Sequence, residues 1–195
     1  MFYRITVSII WFFSRLLFFW TTKGRNNIPN EGGAIIAGKH RSNWDVVFLA
    51  VSSRRPLNFM AKKEMFNGRF FTWLLKHLNA FPVERGVADL KAIKAALNVL
   101  KSDKVLLLFP EGTRTKDDIS TDAKAGVAMF AIRAKVPVIP ATIIGKYGVF
   151  RRQKIIYGEP IYFDKYYDTK VDTDTLHKLS DDVLTKVFAL ANDTM

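Results

Sequence analysis

Residues 34–61 read AIIAGKHRSNWDVVFLAVSSRRPLNFMA, and the fold is decided there. Ala34–Ala37 is a short continuous apolar run, Asn43–Ser52 has the length and pattern of a helix, and Leu57–Ala61 is a second apolar run. Strand, helix and strand in that order make the crossover unit that a parallel sheet requires. Working outward, Val105–Phe109, Val136–Ile144 and Ile155–Phe163 read as further strands, with Phe70–Leu78, Ala88–Lys101, Lys124–Ala134 and Asp174–Ala191 as helices. The alternation predicts an α/β domain with a largely parallel central sheet buried between flanking helices. At 195 residues the chain suits one compact domain with a sizeable core.

The N-terminal segment differs in character. Met1–Trp20, MFYRITVSIIWFFSRLLFFW, is interrupted only by Arg4 and Arg15, and the turn-rich stretch Asn26–Gly33 (NNIPNEGG) follows it. We read 1–25 as an N-terminal membrane-associated helix and 26–195 as the main domain. Three placements fit the pattern: a core helix, a helix lying in the interface, or a single span. In the interface, Trp11 and Trp20 would anchor at headgroup depth while Arg15 snorkels to water. In a span, Lys23 and Arg25 would put the domain on the cytoplasmic face. No small-residue cleavage site follows Trp20, which argues against a secretory leader.

Composition narrows the chemistry. With 49% apolar residues the chain is not disordered, and with no cysteine it has no disulfide, no thiolate metal site and no thiol nucleophile. Three scattered histidines (His40, His77 and His177) do not make a metal cage, so no metal is expected. The net charge of +12 is unevenly placed: Met1–Gly158 carries 26 Lys+Arg against 10 Asp+Glu, and the remaining residues 4 against 8. A basic body with an acidic tail suits an anionic partner, whether lipid headgroups or nucleic acid.

Two motifs carry candidate chemistry. In Lys39–Asp45 (KHRSNWD), His40 and Asp45 can meet only if His40 sits in the loop after the strand and Asp45 in the first helical turn. His40 would then act as general base, with Asp45 holding its tautomer. The same residues admit a structural reading, because Ser42 and Asp45 also form a capping box. Phe109–Arg114 (FPEGTR) follows an apolar run, so Glu111 and Arg114 fall at the carboxyl edge of the sheet, where open α/β sheets bind ligands. Arg114 can fork onto a phosphate and Gly112 lets backbone approach a ligand, although Glu111 and Arg114 can equally pair with each other. Met60–Met65 (MAKKEM) and Phe81–Gly86 (FPVERG) bring Lys62, Lys63 and Arg85 to strand ends, and Val136–Ile143 (VPVIPATI) is a proline-punctuated strand without titratable groups. His77 reads as a helix-face residue, and His177 has no constellation around it.

The four blocks His40–Asp45, Phe81–Arg85, Phe109–Arg114 and Val136–Pro140, in that order, resemble the 1-acylglycerol-3-phosphate acyltransferase family (lysophosphatidic acid acyltransferases) from Gly33 to about Ile143. The resemblance implies transfer of a fatty acyl chain from acyl-CoA or an acyl carrier protein to the sn-2 hydroxyl of a lysophospholipid, giving phosphatidate, with no metal or tightly bound cofactor. It implies that His40 takes the hydroxyl proton while Asp45 orients the imidazole. It also implies that Lys62, Glu111, Gly112, Thr113 and Arg114 hold the acceptor phosphate, with Arg85 a further candidate. Backbone amides at the start of the helix after His40 are candidates for stabilising the oxyanion. Two departures stand out: Lys39 replaces the asparagine that many members carry, and the chain is short for the family. Neither removes a reacting group.

Two alternatives keep the membrane partner. One is an acyltransferase for another lysophospholipid or lysolipid acceptor; the other is a non-catalytic peripheral lipid-binding protein. A nucleic-acid partner is disfavoured, because the aromatics cluster in the apolar N-terminal segment rather than alternating with basic residues.

Overall fold

A computed structural model describes residues 1–84, 89–111 and 125–192. The apolar runs become strands β2 (Ala34–Gly38), β3 (Leu57–Lys62), β5 (Val105–Leu108) and β6 (Val138–Ile144) of one seven-stranded sheet. Its strand order is β1-β7-β6-β2-β5-β3-β4, with β1 (Phe19–Lys23), β4 (Ala80–Val83) and β7 (Arg152–Tyr157) completing it. Every neighbouring pair is parallel except β6–β7.

The central strands are buried on both faces, which is why their sequences are continuously apolar rather than alternating. Ile36 of β2 packs with Phe48, Leu49 and Val51 of α2 (Asn43–Ser52), and α1 (Phe2–Leu17) joins that face through Val7 and Ile10. Its neighbour Ile35 points the other way, as successive strand residues must. It packs with Ala96 and Leu100 of α4 (Leu90–Lys101), Phe130 and Ala131 of α5 (Gly126–Ala134), and Val183 and Val187 of α6 (Thr173–Asn192).

This arrangement sets the position of the site. β2 and β5 are adjacent, yet β2 leads into α2 on one face while α5, the next described helix after β5, covers the other. A crevice opens at the carboxyl ends of two such strands, and ligands of open α/β sheets bind there.

The N-terminal helix is shorter than the pattern of residues 1–20 suggests. It stops at Leu17, and Phe19–Lys23 turns into an edge strand beside β7, in register from Phe19 opposite Arg152 to Lys23 opposite Ile156. Arg15 contributes to the break by donating to the carbonyl of Trp20 and lying 5.0 Å from its ring centroid. Among the described residues no helix is long and apolar enough to cross a membrane. The last strand is also shorter than expected: β7 ends at Tyr157 before Gly158 and Pro160, and Ile161 makes only an isolated bridge to Val138.

Candidate active site

Parallel register builds the site. β2 and β5 pair with Ala37 opposite Leu108, so His40 and Glu111, each three residues further on, emerge at the same height. The His40 amide donates to Glu111 Oε2 at 3.0 Å, and both side chains are buried. The His40 ring stacks on Phe109, with centroids 4.0 Å apart and planes 17° apart. Gly38 makes room for that stack: a Cβ there would lie 3.2 Å from the Phe109 ring.

Ser42 caps α2, and Asp45 completes the capping box. The same Asp45 meets His40, so the capping box and the His40–Asp45 contact coexist. Its Oδ2 accepts from His40 Nδ1 at 3.2 Å and from the amides of Arg41 and Ser42, both at 2.6 Å. Its Oδ1 accepts from the Tyr147 hydroxyl. Asp45 is 1% exposed, and four donors compensate a buried carboxylate that would otherwise be costly. With Nδ1 donating to Asp45, His40 Nε2 is the nitrogen left to accept a proton.

The start of α2 offers less to an oxyanion than its sequence suggests. The amides of Arg41 and Ser42 serve Asp45, that of Trp44 serves the Ser42 hydroxyl, and that of Asp45 serves the Ser42 carbonyl. Lys39 turns to the opposite face, with its ammonium 4.6 Å from the Phe188 ring of α6, and the cap is complete without it.

Lys62 ends β3 at the same edge of the sheet and is exposed, beside Val83 of β4. Arg85, Gly112, Thr113 and Arg114 lie outside the described residues. Tyr147 and Arg41 are the contributors that sequence reading missed. Arg41 sits 5.4 Å from the Tyr147 ring centroid and donates to the carbonyls of Ile143 and Gly145. Nothing local in GKYGVF marks Tyr147, because its partner lies 102 residues away. Among the described residues no cluster of His, Asp and Glu has the composition of a metal site.

The acyltransferase family model matches residues 20–144, from β1 to the last residue of β6 and across the whole His40–Asp45–Glu111 cluster. This chain belongs to the acyltransferase family. The 1-acyl-sn-glycerol-3-phosphate acyltransferase of Bacillus subtilis is 33% identical over 144 residues, covering 71% of each chain. The enzyme of that name from Streptococcus pneumoniae is 32% identical over 179 residues; the match covers 86% of this acyltransferase-family chain and 63% of the relative's length. The crystal structure of the 1-acyl-sn-glycerophosphate acyltransferase PlsC from Thermotoga maritima superposes with a TM-score of 0.74, covering 99% of this chain and 82% of its own at 23% identity. That likeness establishes the acyltransferase fold from the N-terminal helix through α6.

Proposed function

We propose that this chain transfers a fatty acyl group from an acyl-CoA or acyl carrier protein thioester to the sn-2 hydroxyl of 1-acylglycerol-3-phosphate, forming phosphatidate at a membrane surface. The observation that carries the reading is the buried His40–Asp45 contact at the carboxyl edge between β2 and β5. His40 Nε2 takes the proton of the glycerol hydroxyl as that oxygen attacks the thioester carbonyl, and Asp45 stabilises the imidazolium that forms. Collapse of the tetrahedral intermediate breaks the carbon–sulfur bond, and the imidazolium returns its proton to the departing thiolate. The names of the relatives support lysophosphatidate as acceptor. We assign the acceptor phosphate to Lys62, Gly112, Thr113 and Arg114, with Arg85 a further candidate. Glu111 accepts from the His40 amide and so supports the backbone that carries the base.

The membrane reading rests on α1. Its inner stripe, Val7, Ile10 and Ser14, faces the domain, while Ile5, Ile9, Phe12, Phe13 and Leu16 recur along a second, exposed stripe. A helix apolar on both sides needs a second apolar neighbour, and a helix lying in the interface finds one in lipid. Phe70, Phe71 and Trp73 of α3 (Arg69–His77) extend the exposed apolar surface, joined to α1 where the Phe2 and Trp73 rings meet at 5.0 Å.

The test is thiol release from an acyl thioester by detergent-solubilised protein, with and without lysophosphatidate, comparing wild type with His40→Ala. Release that depends on the acceptor and falls by about 10²-fold or more in the variant is expected. Folded wild-type protein that releases no thiol with either carrier and any lysophospholipid would overturn the reading in favour of a lipid-binding role.

A further inference from the structure

We infer that Tyr147 is a positioning residue for the His40–Asp45 pair, locking the plane of the Asp45 carboxylate so that its other oxygen stays aimed at the imidazole. This rests on the acyl-transfer reading above and assigns a role to a loop on which that reading does not depend.

The geometry divides the carboxylate in two. Oδ2 serves His40 and two amides of the β2–α2 connection, all within five residues of Asp45. Those contacts alone leave the carboxylate free to rock about the bond that carries it, because they converge on one oxygen. Oδ1 is held from outside that segment, by the Tyr147 hydroxyl on the loop between β6 and β7. Two anchors from two separate elements fix the plane.

Tyr147 is itself held for this task. Its ring stacks on Phe48 of α2 with centroids 5.9 Å apart and planes 19° apart, and the Arg41 guanidinium lies over it. Arg41 in turn donates to the carbonyls of Ile143 and Gly145, clamping the end of β6 to the loop that carries His40. Gly145 opens the turn at φ +107°, where a Cβ would meet the Arg152 carbonyl at 2.3 Å, so only glycine admits this path. The far end of the loop is tied to α1, where the Phe150 amide donates to the Leu17 carbonyl at 2.7 Å. Among the described residues, the charged and titratable groups around the pair are Arg41, Glu111 and Tyr147. Burial first, and the charge of Asp45 second, push the Tyr147 hydroxyl well above the ordinary tyrosine range. It therefore remains a donor at every pH at which a histidine base operates.

Tyr147→Phe deletes one hydroxyl and keeps the ring that packs on Phe48; Tyr147→Leu deletes both. With acyl donor and lysophosphatidate, Tyr147→Phe is expected to lower kcat about tenfold, the order of one hydrogen bond to a charged group, with both KM values unchanged. The acidic limb of kcat/KM should move to higher pH, since a carboxylate that has lost a donor stabilises imidazolium more strongly. The His40 ring resonances, readable among only three histidines, should shift their titration the same way. A packing role predicts the opposite pattern, with Tyr147→Phe matching wild type in kcat, pH profile and His40 titration while Tyr147→Leu alone loses activity. That pattern would overturn the inference. The resonance titration needs no turnover, so it decides the role of Tyr147 even where a failed assay has refuted acyl transfer.

Discussion

The backbone amide of His40 and the carboxylate of Glu111 lie 3.0 Å apart, joining the ends of two strands 71 residues distant in the chain. The contact follows from register, since Ala37 and Leu108 face each other and His40 and Glu111 each lie three residues further along the chain. It is also a division of labour, with Asp45 holding the His40 ring and Glu111 its backbone.

Substitution at Glu111 separates backbone support from phosphate binding. Glu111→Gln retains a carbonyl oxygen that can accept from the His40 amide and should keep kcat within a few-fold of wild type. Glu111→Ala removes the acceptor, leaves a buried amide unsatisfied and should lower kcat by about tenfold with little change in acceptor KM. Steady-state kinetics on both variants checks this; a rise in acceptor KM at unchanged kcat would place Glu111 on the substrate instead.

Substitutions at Asp45 and His40 should differ in their effect on stability although both are expected to lower turnover. Asp45→Ala strips a buried acceptor from four donors and removes half of a capping box, which should destabilise the fold by about 3 kcal/mol. His40→Ala forfeits mainly the stack on Phe109 and should cost nearer 1 kcal/mol. Chemical denaturation of the two variants measures the gap. Equal losses would mean that the cap and the Tyr147 hydroxyl add little to what Asp45 gains from His40.

The central unit was legible because its signals are local. The Ser42–Asp45 box marks the start of α2, and the structure places the helix at Asn43–Ser52, the span its sequence pattern predicts. The strands β2, β3 and β5 declared themselves as two-sided apolar runs. Phe19–Lys23 did not, because an edge strand of five residues is stabilised by Arg152–Ile156, a partner absent from its own neighbourhood. Ala80–Val83 was hidden by Pro82, which is tolerated because β4 lies at the sheet edge and pairs only with β3. At the site, His40 and Asp45 were legible as a motif, whereas Tyr147 became visible only when β6 and β7 brought its loop over α2.

Stability should fall at alkaline pH. Burial raises the hydroxyls of Tyr3, Tyr147 and Tyr157 above the ordinary value of 10.0. The folded chain then keeps protons that the unfolded chain releases above pH 10, so their contribution is complete below that pH and is lost as pH rises beyond it. Tyr157 is fully buried, with its hydroxyl 2.8 Å from Ser52 Oγ and 3.1 Å from the Leu49 carbonyl. Denaturation midpoints between pH 8 and 11 should decline above pH 10, and Tyr157→Phe should flatten the decline. A wild-type profile with no decline would contradict these assignments.

The exposed stripe of α1 can be tested apart from the chemistry. Phe12, Phe13 and Leu16 are 60%, 54% and 63% exposed, and none supports the core beneath the helix. Replacing all three with serine should leave the thermal midpoint nearly unchanged, since their apolar area is already in water. Each such side chain contributes about 1.5–3 kcal/mol when fully buried, so even partial insertion of three predicts at least a tenfold loss of vesicle partitioning. Basic residues retained on the domain should leave a residual, salt-sensitive attraction to anionic vesicles. Sedimentation with zwitterionic and anionic vesicles reads both terms, and acyl transfer to detergent-dispersed lysophosphatidate should persist because the site at β2 and β5 is untouched. Wild-type partitioning by the triple variant would remove α1 as the membrane face; full loss of detergent-phase activity would mean that the stripe shapes the site itself.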